Sequence, residues 1–127
     1  MIAPRYSVRT LALFRELPGA GALPAGAGHV AVGEAEALER GAWVRFEARI
    51  DSGRVVDCRF QAWGCPHTLA AAALARGDLL ERRPGAAVPV DAARLARELD
   101  VPAEKMGRLL VVEDAARALL AAASRVE

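Results

Sequence analysis

The stretch from Trp43 to Ala62 constrains the fold of this chain more than any other. Val44, Phe46, Ala48 and Ile50 alternate with Arg45, Glu47 and Arg49, the period-two pattern of a strand with one buried and one wet face. Asp51-Ser52-Gly53 then supplies turn chemistry. Arg54 to Ala62 returns with Val56, Cys58 and Phe60 facing one way and Asp57, Arg59 and Gln61 the other. Two such runs joined by a tight turn predict an antiparallel hairpin. A hairpin alone is marginal in water, so its apolar face needs another layer.

The flanking sequence supplies that layer. Tyr6 to Leu17 sets Val8, Leu11, Ala12, Phe14 and Arg15 at near-helical spacing, a short first helix that Pro18-Gly19 stops. Gly19 to Gly28 is rich in Gly, Ala and Pro and predicts a loop. Its glycines lack the preceding strand and following Lys-Ser/Thr of a phosphate loop. His29 to Val32 reads as a third, short strand, and polar Glu34 to Arg40 takes no assigned shape. Beyond the hairpin, Pro66 suits a first helical position, Leu69 to Arg76 is rich in helix formers, and Gly77 can end the helix. Arg82 to Val90 reads as a loop, and Asp91 as the N-cap of a helix through Leu99. After Pro102 a long helix runs from about Glu104 to Ser124, its stripe formed by Met106, Leu109, Leu110, Ala116, Leu120 and Ala123. Helix, strands, then helices predict an α+β fold: a small antiparallel three-stranded sheet packed with helices. The 127 residues suit a single domain spanning 1–127 with a core of its own.

Composition narrows function. A net charge of +1 gives nucleic acid or an anionic membrane no electrostatic footing. No apolar run approaches the ~20 residues of a membrane helix, and Met1 to Arg15 lacks the order of a signal peptide. Two cysteines make no disulfide framework, so the expectation is a cytoplasmic protein with reduced thiols.

Cys65 is the candidate reactive group. If Pro66 opens a helix, Cys65 sits at or beside its N-cap, where the dipole and free amides favour a thiolate. Gly64 lets the chain turn sharply there, and His67 is placed to assist by hydrogen bonding or as a nearby cation. The competing reading is a small buried residue, as free cysteines commonly are. Cys58 shares a strand face with Val56 and Phe60 and reads as core. Cys58, Cys65, His67 and distant His29 lack the spacing of a zinc site. Glu34/Glu36 and Glu113-Asp114 read as solvated carboxylates, and Trp43 and Trp63 as packing anchors.

From Gly53 to Cys65 the chain resembles the U-type iron–sulfur cluster scaffold family, IscU and the N-terminal domain of NifU, whose members carry a similar strand ending in aromatic-Gly-Cys before a small-residue helix. Tyr6-Ser7 is similar to the family's opening. Glu98 to Pro102 resembles its Leu-Pro segment, and Lys105 and Glu113-Asp114-Ala115 fit its last helix. The resemblance implies a non-enzymatic scaffold or sulfur carrier working with a cysteine desulfurase or another iron–sulfur assembly protein. The family holds its cluster with three cysteines, an Asp near the first and a His before the third. Here the second cysteine is Cys65. Arg40 stands at the first, Ala42 at the Asp, and Gly107 and Arg108 at the His and the third cysteine. Cys65 is then implied as persulfide acceptor or as single ligand to iron or an iron–sulfur cluster, with Arg40 and Arg108 supporting its thiolate. Two alternatives stand beside this: a cluster-free interaction or regulatory module of the same fold, and a sulfur acceptor of the SufE kind.

Overall fold

The computed structural model describes residues 6–80, 82 and 90–125. The hairpin is present as β2 (Ala42–Asp51) and β3 (Arg54–Trp63). β1 (His29–Ala37) pairs antiparallel with β2, giving a sheet of order β1-β2-β3. Four α-helices accompany it: α1 (Val8–Glu16), α2 (Pro66–Leu79), α3 (Ala92–Leu99) and α4 (Met106–Ala123). α4 lies across β1 and β2, α2 lies on β3, and α1 and α3 pack on α2 and α4 respectively. The α+β expectation holds. The segment between residues 83 and 89, expected as loop, lies outside the described residues.

The core forms between one sheet face and the helices. Val44, Phe46, Ala48 and Ile50 are fully buried, as the alternation requires. β3 corrects the expected pattern. A register shift between Arg49 and Ile50 pairs Ala48 with Cys58 but Ile50 with Val55, so Val55 points inward and Val56 is turned out. An extra residue in one strand flips every side chain beyond it to the other face. β1 extends five residues past Val32. Its inward positions are Ala31, Gly33, Ala35 and Ala37, too small to read as a hydrophobic stripe. A one-turn 3-10 helix, Leu38–Arg40, then leads to β2.

Three helix expectations change as well. α1 buries Thr10 and packs Leu13 and Leu17, leaving Val8 and Phe14 exposed, because the Thr10 hydroxyl donates to the Leu99 carbonyl at 2.9 Å. α2 continues through Gly77 because fully buried Leu79 anchors its last turn. In α4 the buried face includes Val111, Val112, Ala115 and Leu119, while Leu110 is exposed. Glu113 proves structural: it accepts from the Ala92 amide at 3.0 Å and pairs with Arg117.

The segment after α1 lies over β3 and β2. Phe60 exchanges backbone hydrogen bonds with Gly19 and Gly21, and Arg49 donates to the carbonyls of Pro24 and Gly26. Trp43 and Trp63 are cross-strand partners at the end of the hairpin. Trp63 is half-exposed, so the pair is a surface feature and not the expected core anchor.

Cys58 is inaccessible, as its strand position predicts, and burial pushes its thiol up to about 12 from an ordinary 9.0. The sign follows directly. Above pH 9 the unfolded chain releases this proton and the folded chain keeps it. Stability therefore falls with rising pH by about 1.4 kcal/mol per unit until the folded thiol ionises. In urea titrations at pH 8 and 10.5, the natural protein is expected to lose about 2 kcal/mol more than Cys58→Ala. Equal losses would place the Cys58 thiol near its unfolded value.

Candidate functional site

The end of β3 and the start of α2 set the position of Cys65. Gly64 joins them with φ +152°, a conformation that disfavours a side chain, and a Cβ there would lie 2.9 Å from Thr68 Cβ. Pro66 occupies the first helical position, making Cys65 the N-cap of a 14-residue helix. Cys65 is partly exposed, and its sulfur sits 3.8 Å from Thr68 Oγ1. Its side chain makes no well-aligned capping hydrogen bond.

The thiol's acidity reflects opposed effects. Partial burial, the largest, raises the thiol's pKa. The backbone N–H and hydroxyl of Thr68, the backbone N–H of His67 and the charge of Lys105 together outweigh burial and hold it below its ordinary value. The Thr68 and His67 amides act on the sulfur as donors at the helix N-terminus. Among the cations, Lys105 is the one that acts on Cys65, in place of the expected His67.

His67 takes another part. Its ring is buried, and Lys105 Nζ lies 3.2 Å from Nδ1. Burial first, then the charges of Lys105 and Arg108, lower its pKa, against a raising influence from Asp100. The imidazole is therefore neutral at pH 7. With the ammonium donating to Nδ1, the ring proton sits on Nε2, which is buried and has no partner among the described residues. Tyr6 flanks the ring at 4.6 Å between centroids, and Lys105 Nζ lies 5.1 Å from the Tyr6 centroid.

Arg40 and Arg108 come together. Arg108 Nε donates to the Arg40 carbonyl at 3.1 Å, and the Arg40 guanidinium covers Gly107. A Cβ at residue 107 would meet Arg40 Nη1 at 2.5 Å, so Arg40 fills the space a side chain there needs. These residues do not fit a cluster. Guanidinium groups offer no lone pair to iron, and iron–sulfur clusters are held by about four thiolates or equivalents. Among the described residues no three His, Cys, Asp or Glu side chains converge as metal ligands.

Two contributors escaped the sequence reading as site residues. Thr68, three positions after the N-cap, has the spacing of a capping partner and was detectable on that ground. Lys105 is the chain's only lysine, but nothing local ties it to a residue 38 positions away.

Among the described residues no helix is long and apolar enough to cross a membrane. Comparison with curated proteins gives no significant match. Solved structures share the fold. One, described as an iron–sulfur cluster assembly scaffold protein for the SUF system from thermophilic Fervidobacterium islandicum AW-1, superposes with TM-score 0.66 at 16% identity, covering 91% of this chain and 96% of that one. Another, the N-terminal part of a nitrogen-fixing NifU-like protein from Brucella abortus, gives 0.52 at 17% identity, covering 94% and 90%. At such identities the likeness establishes the fold alone. The sequence itself matches the family described as NifU-like N terminal domain over residues 6–125, nearly its whole length, and the chain belongs to that family.

Proposed function

We propose that this protein handles sulfur in iron–sulfur cluster assembly, with Cys65 as the acceptor of persulfide sulfur from a cysteine desulfurase. The observation that carries this reading is the environment of Cys65: an accessible thiol at a helix N-terminus whose acidity is raised by Thr68, the His67 amide and Lys105. Sulfur transfer needs little more. The Cys65 thiolate attacks the outer sulfur of the donor persulfide, the donor's S–S bond breaks, and the electron pair leaves with the donor thiolate. One S–S bond replaces another, so no outside oxidant is required.

The test is intact-mass analysis after incubation with a cysteine desulfurase and free cysteine. The expected result is a reducible gain of one sulfur in the natural protein and in Cys58→Ser, and none in Cys65→Ser. A folded protein that gains no sulfur would overturn the reading. The guanidinium groups at residues 40 and 108 favour a second reading, a cluster-free module that binds an assembly partner without chemistry. That reading predicts no adduct and partner binding unaffected by Cys65→Ser.

A further inference from the structure

The third residue of α2, Thr68, is fully buried, and its hydroxyl lies 3.8 Å from the Cys65 sulfur. Among the described residues that sulfur is the hydroxyl's hydrogen-bond partner, so the buried oxygen is not left bare. Packing fixes the contact. A Cβ on Gly64 would meet Thr68 Cβ at 2.9 Å, Oγ1 at 3.0 Å and Cγ2 at 3.1 Å, so the whole branch of Thr68 rests against the Gly64 backbone. Branching at Cβ also stiffens the first side-chain torsion. Thr68 thus meets the sulfur from the protein interior, and the exposed part of Cys65 is open to a reaction partner.

A hydroxyl so placed acts differently on the states through which the sulfur passes. Towards a sulfur in an S–S bond it donates to a weak acceptor. Towards a thiolate the hydrogen bond is charge-assisted and about twice as strong. Cys65 Sγ takes up that charge when an outer sulfur bound to it is removed. We propose that the Thr68 hydroxyl stabilises the leaving group as a persulfide on Cys65 gives its outer sulfur to an acceptor thiolate. This rests on the sulfur-accepting role of Cys65 and extends it: Cys65 is a carrier that passes sulfur on. In the step, the acceptor's electron pair forms the bond to the outer sulfur and the S–S bond breaks. Its pair stays on Sγ, and the persulfide proton goes to solvent. A hydrogen bond that strengthens as the charge develops speeds this step.

The test prepares the persulfide without a desulfurase, by forming the mixed disulfide of Cys65 with 5-thio-2-nitrobenzoate and displacing that thiolate with hydrosulfide. Cyanide, standing in for the acceptor, then removes the outer sulfur as thiocyanate, whose appearance times the departure of Cys65. Cys65→Ser serves as blank. Thr68→Val keeps the side-chain shape without the hydroxyl, and its cyanolysis rate is expected to fall about three- to tenfold, the size of one hydrogen bond. The opposite role is read from attack on 4,4′-dithiodipyridine, at the pH plateau where Cys65 is fully ionised. There the more basic thiolate of Thr68→Val should be as fast as the natural one or up to about threefold faster, since nucleophilicity rises with basicity. Thr68→Ser, which restores the hydroxyl, should restore both rates.

Slower departure without slower attack distinguishes the hydrogen bond from a packing defect, which would slow or speed both reactions together. Unchanged cyanolysis in Thr68→Val, equal slowing of both reactions, or no recovery in Thr68→Ser overturns the proposal. So does a natural protein that yields no Cys65-dependent thiocyanate. Thr68→Ala repeats the comparison if Thr68→Val folds poorly. Since no desulfurase is present, the two readings fail separately. Hydroxyl-dependent release without desulfurase-dependent sulfur gain would keep the role of Thr68 and overturn the proposed function. Sulfur gain with release indifferent to the hydroxyl would do the reverse.

Discussion

Gly33→Ala is expected to destabilise this protein by about 3 kcal/mol or more, through the addition of a single methyl group. Gly33 lies on the inward face of β1, opposite Phe46, where α4 crosses the sheet. A Cβ there would fall 2.5 Å from Leu119 Cα, and closer still to the Leu119 nitrogen and the Ala115 carbonyl oxygen. All three are backbone atoms in the middle of an 18-residue helix, so no side-chain rotation can relieve the contact. Either α4 lifts off β1, opening the contact between the sheet and its longest helix, or β1 shifts against β2. Domains of this size are stable by about 5–15 kcal/mol, so the loss is a large fraction of the total. Gly77→Ala supplies the control, because it adds the same methyl group on α2 with nothing within 4 Å. There the change removes backbone freedom from the unfolded chain and should stabilise by about 0.5–1 kcal/mol. Opposite signs in urea titrations of the two variants are the expected result. A Gly33→Ala cost below about 1 kcal/mol would mean that α4 does not approach β1 this closely.

That same glycine marks the boundary of what the sequence reveals. The hairpin was legible because β2 carries large apolar residues at alternate positions and its fully buried face needs nothing else to be recognised. β1 performs the same task with Ala31, Gly33, Ala35 and Ala37, small because α4 packs against them, and the alternation carries almost no hydrophobic contrast. Only its first four residues could be assigned. The bulge opposite Arg49/Ile50 left no mark either, since Val55 and Val56 are the same residue type and either could face inward. At the site, Gly64-Cys65-Pro66 announced a strand-to-helix turn with a thiol at its N-cap, because each residue type answers a local backbone demand. Lys105 and Arg108 reach the site from α4 and the turn before it, by tertiary packing that no local pattern encodes.

The two cysteines are expected to differ in alkylation rate by about a thousandfold in the native protein at pH 8. The difference in acidity sets the thiolate fractions, and the burial of Cys58 offsets the greater intrinsic reactivity of its more basic thiolate. Cys58 is pushed up to about 12, whereas Cys65 lies below 9.0, a gap of more than three units, each unit changing the thiolate fraction about tenfold while both remain mostly protonated. Burial widens the gap, because Cys58 has no accessible surface and Cys65 is partly open. Iodoacetamide labelling followed by peptide mass analysis reads both sites at once. For Cys65 the rate should rise with pH and level off at an inflection below that of free cysteine. Thr68→Val keeps the side-chain shape but removes the hydroxyl near the sulfur, and Lys105→Gln removes the nearby charge. Each loses a group that favours the thiolate, so each should move the inflection upwards. The linkage has a matching sign: ionised Cys65 adds stability above the unfolded thiol's pKa, and that increment is lost as pH falls through the folded one. Labelling of Cys58 at a comparable rate would show that β3 opens readily. An inflection for Cys65 at or above that of free cysteine would remove the acidity on which sulfur acceptance rests, leaving the accessible thiol a bystander in a scaffold fold that works by binding alone.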